Sequence, residues 1–71
     1  DIVPVTPDDA ANLPDVAVAL YVETGGTLVI DTVRGGTRTV EMADFAILPV
    51  GTRRVRATGT TATGIHALVQ A

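Results

Sequence analysis

Glycine and proline punctuate this chain so often that only short elements fit between them. After residue 15 the breaks fall at Gly25-Gly26, Gly35-Gly36, Pro49, Gly51, Gly59 and Gly64. Each is unfavourable inside a helix, glycine by about 1 kcal/mol and proline by about 3 kcal/mol relative to alanine. The segments between them are dense in Val, Ile and Thr, whose branched Cβ atoms suit a pleated strand. Turn signals at intervals of roughly 8–12 residues mark a small sandwich or barrel. The connections are too short for helical crossovers, so neighbouring strands pair mostly antiparallel.

The strands can be read one by one. Val16, Val18, Leu20 and Val22 alternate with Ala17, Ala19, Tyr21 and Glu23, the period-two pattern of a half-buried strand. Thr24-Gly25-Gly26-Thr27 reads as a hairpin turn, and Leu28-Val29-Ile30 begins a return strand that runs to about Val33. Arg34-Gly35-Gly36 is a second turn of the same kind. Residues 37–42 follow as a strand with Val40 and Met42 on one face. Phe45-Ala46-Ile47-Leu48 is a short apolar run closed by Pro49. Arg53 to Thr58 gives a fifth strand, with Arg54 and Arg56 on one face and Val55 and Ala57 on the other. A Thr- and Gly-rich link, residues 59–64, leads to a last strand at residues 65–69. The expected fold is therefore all-β, an antiparallel sandwich or barrel of about six strands over residues 16–71.

Residues 1–15 differ from the rest. Pro4, Pro7 and Pro14 exclude this segment from a sheet interior, because each lacks a backbone donor. Thr6-Pro7-Asp8-Asp9 has the order of a helix start, with Thr6 as N-cap and acids facing the positive end of the dipole. Pro14 limits any such helix to one or two turns. The segment reads as an extended, proline-rich N-terminal arm with a short helical turn. It opens at Asp1 without a basic n-region and without Met, which leads to the expectation of a trimmed N-terminus or of preceding residues outside this sequence.

A chain of 71 residues buries only about 60% of its unfolded surface. Small domains commonly add disulfides, a metal or oligomerisation to a core of this size. This chain has no cysteine and a single histidine, His66, so oligomerisation is the remaining route and no cofactor or metal is expected. The only aromatic residues besides His66 are Tyr21 and Phe45. No apolar run approaches the length of a membrane-spanning helix, and no membrane insertion is expected.

Net charge is −3, unevenly placed. Asp1, Asp8, Asp9, Asp15, Glu23 and Asp31 precede all five basic residues, which are arginines and sit at 34, 38, 53, 54 and 56. Arg53, Arg54 and Arg56 form the one basic cluster. Arginine suits phosphate recognition, but the acidic total, the absence of lysine and the scarcity of stacking aromatics argue against direct nucleic-acid binding. An ion pair with the acidic half of a neighbouring subunit uses both sides of the asymmetry and is preferred. The pair Asp8-Asp9 reads as helix capping rather than catalysis. His66 has no serine or cysteine nucleophile in the chain to activate and reads as a surface or interface residue, so the protein is not expected to be an enzyme. A carbohydrate-binding module has at most one aromatic platform here, Tyr21, and stands as the alternative function.

Several stretches together resemble a known family. They are Asp1-Ile2-Val3-Pro4-Val5-Thr6-Pro7, Leu13-Pro14 followed by Ala19-Leu20-Tyr21-Val22, the turn Thr24-Gly25-Gly26, Ile47-Leu48-Pro49-Val50, Arg53-Arg54-Val55, and residues 57–65. In this order they resemble the head spike base proteins of gene transfer agents and related tailed phages. The resemblance implies a structural virion protein, a pentamer on the outer surface of the capsid that holds a host-binding spike fibre at the vertex. It also implies the major capsid protein and the fibre as partners, and synthesis in the bacterial cytoplasm. It brings no catalytic residues. The expected interface comprises Asp1, Ile2, Val3 and Pro4 of the arm with Arg53, Arg54 and Arg56.

Overall fold

The structure is a computed structural model that describes residues 1–70. It contains seven strands: β1 (Ile2–Pro4), β2 (Ala19–Thr24), β3 (Gly26–Thr32), β4 (Thr37–Met42), β5 (Ala46–Leu48), β6 (Thr52–Val55) and β7 (Thr63–Leu68). They form two antiparallel sheets, one of four strands in the order β1-β7-β2-β5 and one of three in the order β4-β3-β6. The fold is all-β as expected and, of the sandwich and barrel alternatives, it is a sandwich; its strands number seven rather than about six because Ile2–Pro4 of the arm pairs as β1. Alternation places Leu20 and Val22 of β2, Leu28 and Ile30 of β3, Val55 of β6, and Ile65 and Ala67 of β7 in the space between the sheets. Every one of these is aliphatic, so the core is thin and depends on close packing of branched side chains.

Two turns that look alike in sequence do different work. Arg34-Gly35-Gly36 is a hairpin between β3 and β4, closed by hydrogen bonds from Thr32 N to Gly36 O and from Gly35 N to Thr32 O. Gly35 sits there at φ 93°, a conformation that glycine adopts without steric penalty. The turn at Gly25-Gly26 is not the expected hairpin. β2 and β3 lie in different sheets, and this corner carries the chain across the sandwich. The corner passes so close to the Met42 carbonyl that a Cβ on Gly25 would overlap it.

The alternation expected from Val16 to Glu23 breaks at Val18. Ala17 is fully buried and bridges Thr52 of the three-stranded sheet, with both backbone bonds made (2.8 and 2.9 Å). From Val18, whose N–H donates to Leu68 O, the chain belongs to the four-stranded sheet. A strand that switches sheets at a corner loses its phase there. Leu20 and Val22 face inward as expected, whereas Val16 and Val18 are exposed.

Residues 1–15 are bound to their own sandwich. β1 is an edge strand on β7, the position a proline-bearing strand can occupy. Val5 N then donates to Ile65 O, Asp8 N to Val55 O and Leu13 N to Arg53 O. These bonds replace the expected helical turn, because donors committed to β6 and β7 cannot also close helical rings. Asp8 does cap, in place of Thr6: its Oδ1 accepts from Ala10 N at 2.8 Å and Ala11 N at 3.3 Å. No helix follows.

Ile30→Ala should lower unfolding stability by about 2–5 kcal/mol, whereas Val33→Ala on the exposed hairpin should stay within about 0.5 kcal/mol. Urea unfolding midpoints of the two variants test the placement of the core.

Candidate assembly surface

The two sheets present outer faces of opposite chemistry. On the three-stranded sheet, register places Thr27 beside Glu41, Val29 beside Thr39, and Asp31 beside both Thr37 and Arg54. Asp31 is only 3% exposed and is surrounded by donors. Arg56 Nε and Nη2 reach its two carboxylate oxygens at 2.9 and 3.0 Å, and Thr37 Oγ1 donates to Oδ1 at 2.7 Å. Arg54 Nη1 lies 3.5 Å from Oδ2. The hydrogen bond from Arg56 does most to hold the Asp31 carboxyl down, at about 2 against an ordinary 3.8, followed by the bond from Thr37. Asp31 in turn raises the Arg56 pKa.

This cluster redistributes the basic residues expected at an interface. Arg54 and Arg56 share the face predicted for them, but their charges are paired within the chain. Arg54 also donates from Nε to Asn12 Oδ1 at 3.1 Å and from Nη1 to the Asp9 carbonyl at 3.3 Å. Arg53 alone of the three is exposed. The acidic half of the molecule meets the basic half internally, through Asp31 and the Asp9 region. Asp9 accepts from both the backbone N and the hydroxyl of Thr58, which lowers its pKa. Asp31 was the site residue that sequence reasoning missed. Its place out of phase with Leu28 and Ile30, like that of Arg54 and Arg56 around Val55, was the available signal.

The outer face of the four-stranded sheet is apolar. Register aligns Ile2, Leu68 and Ala19 in one row and Pro4, His66, Tyr21 and Ile47 in the next. Ile2 is 54% exposed and Ile47 59%. No arginine lies on β1, β2, β5 or β7, and Glu23 is the one acid within them. His66 is half-buried beside Tyr21, with ring centroids 5.9 Å apart, and its Nδ1 lies 3.0 Å from Gly64 O. Of the expected arm residues, Ile2 and Pro4 belong to this face. Val3 points inward with its partner Ala67, and the Asp1 nitrogen donates to Val69 O.

The sides of the sandwich also differ. Residues 5–17 run along β6 and β7 and cover the β1–β6 side through the backbone bonds described above. At the other side β4 and β5 are edges, linked by a tight connection in which Asp44 Oδ1 accepts from Gly25 N at 2.6 Å. Phe45, in that connection, is 71% exposed. Two concavities border the covering segment. An open cleft of about 420 Å³ is lined by Val5, Pro7, Ala57 and residues 60–65, without an aromatic platform. A smaller cavity of about 150 Å³ lies between β1 and the covering segment, lined by Val3, Pro4, Val5, Leu13, Pro14 and Ala67, with Asp15 its one charged residue. Among the described residues no three of His, Asp and Glu converge as metal ligands would.

Comparison with known proteins places this geometry. The chain is similar to one in a solved structure of the capsid of a native gene transfer agent particle, computed with C5 symmetry. The two are 43% identical with a TM-score of 0.86, over 94% of this chain and 79% of the other. No protein-family model and no curated protein matches it.

The Asp31 cluster makes stability depend on pH with a defined sign. A carboxylate whose folded pKa is depressed contributes stability that is complete above its unfolded value and is lost as pH falls through the folded one. Here that window runs from about 3.8 down to about 2. Asp31→Asn should therefore be less stable than the parent at pH 7, and the gap should close between pH 4 and pH 2. Unfolding midpoints measured across that range test it, and a constant gap would show that the charge of Asp31 is not what stabilises the cluster.

Proposed function

Because the chain belongs to the same family as that gene transfer agent capsid component, we propose that it forms the base of a head spike, seating a host-binding fibre on the capsid vertex. As a member of that family it is a structural component of such a particle. The observation that carries the finer reading is the match over 94% of the chain to a chain resolved in a capsid with C5 symmetry. A component seated at the five-fold axis of such a particle would meet its own copies there. The base is then a pentamer on the outer capsid surface, with the major capsid protein below it and the fibre above. No membrane or nucleic acid takes part in this role, and the chain is made in the bacterial cytoplasm before assembly.

The surfaces suit such a role. The outer face of the four-stranded sheet carries Ile2, Pro4, Tyr21, Ile47 and Leu68 with no arginine to solvate it, and contiguous apolar surface of this kind marks an interaction site. A ring assembled through apolar contacts leaves Arg53 and the polar face of the three-stranded sheet toward other partners. The carbohydrate-binding alternative draws less support. Tyr21 lies on the apolar face beside His66, not in the threonine-lined cleft, and Thr60 and Thr61 already accept backbone bonds from Val29 and Thr27.

Particles from cells lacking this chain should have intact capsids without head spikes, and particles carrying it should show about five copies at each occupied vertex. Electron microscopy and quantitative mass spectrometry of purified particles read both. Spikes that persist without the chain would overturn the proposal.

A further inference from the structure

We propose that copies of this chain join head to tail, with Phe45 of one copy entering the 150 Å³ cavity beside β1 of the next. The inference deepens the oligomeric reading above and rests on it. It begins from Phe45, the chain's only phenylalanine, which is 71% exposed on a protein with an all-aliphatic core. Phe45 also sits at φ 56°, the single non-glycine residue with positive φ among those described. Bulky residues rarely adopt this conformation. The connection imposes it from both sides: Phe45 N donates to Glu23 O, and Asp44 is held to Gly25 N. Backbone strain of this kind gathers at binding sites, where it presents a side chain that relaxed geometry would fold away.

The receptor is at the opposite edge of the same sheet. β5, next to Phe45, and β1, which lines the cavity, are the two outermost strands of the order β1-β7-β2-β5, about 14 Å apart across three strand spacings. The cavity walls are Val3, Pro4, Val5, Leu13, Pro14 and Ala67, with Asp15 the one charged residue among them. An apolar cavity of about 150 Å³ is the size that accepts a benzene ring, which is the end group of phenylalanine. A knob at one edge and a matching hole at the other make a heterologous contact, the kind that closes into rings. Two copies joined this way also bring Ile47 of one and Ile2 of the next, both exposed, to the same seam. Aromatic anchors that fill such pockets dominate interface energetics.

The test compares the parent chain with Phe45→Gly and Val3→Phe by sedimentation velocity and native mass spectrometry. Glycine at 45 accepts positive φ, so this variant should stay folded by circular dichroism while self-association weakens by at least about tenfold. Val3→Phe fills the cavity and should weaken association in the same way. An equimolar mixture of the two retains one intact knob and one intact hole, so it should form a heterodimer that grows no further. A parent that is monomeric at all concentrations would overturn the oligomeric reading itself. A Phe45→Gly variant that is folded and keeps the parent stoichiometry would overturn this contact alone.

Discussion

The sealing of one side of the sandwich by residues 1–17 shapes everything else in this molecule. Two sheets with an aliphatic filling have two open sides, and hydrocarbon at either side is wetted unless something covers it. On the β6 side the chain supplies its own cover, through β1 on β7 and the donors of Val5, Asp8, Leu13 and Ala17. On the β4–β5 side it supplies none, and half-buried Val40, Met42, Ala46 and Leu48 lie near the boundary of the core. A domain this small has little stability in reserve. An uncovered side is therefore a place where a neighbouring chain adds burial that the monomer lacks.

The distribution of charge follows the same asymmetry. Asp31 is buried on the polar face and is tolerable there because Arg56, Thr37 and Arg54 satisfy it. A buried carboxylate without such partners would be strongly unfavourable. Drawing Arg54 and Arg56 inward consumes most of the basic cluster within the chain. The apolar face of the four-stranded sheet, meanwhile, contains no arginine. Electrostatics thus stabilises the polar side of the fold, and the other side is left to hydrophobic contact, which is non-directional and needs shape for its specificity. Phe45 and the cavity beside β1 provide that shape. Membership in a family with a capsid component fits a molecule built this way.

Much of this was legible from residue patterns. Alternation around Leu20 and Val22, the hairpin at Gly35, the inward pair Val40 and Met42, and the shared face of Arg54 and Arg56 all follow from a side-chain period of two, which is local. The errors occur where local pattern meets a change of sheet. Val16 and Val18 share the phase of Leu20 in sequence, but the switch at Val18 exposes them. Gly25-Gly26 has hairpin chemistry, yet a corner between sheets needs the same absence of a Cβ. Thr6-Pro7-Asp8-Asp9 has the order of a helix start, but its neighbours' donors found better-placed acceptors on β6 and β7.

By itself the sequence determined that the chain is all-β, antiparallel and too small to be well covered on its own. Those properties depend on strand propensity, turn spacing and length, each readable within a few residues. Only the tertiary structure decided that Arg54 and Arg56 spend their charge on Asp31, that one side of the sandwich is covered by residues 1–17, and that a strained Phe45 stands at the opposite edge of its sheet from a largely apolar cavity. These depend on which strands of distant sequence become neighbours. Chain periodicity fixes the face of each strand but leaves open which strand lies beside it.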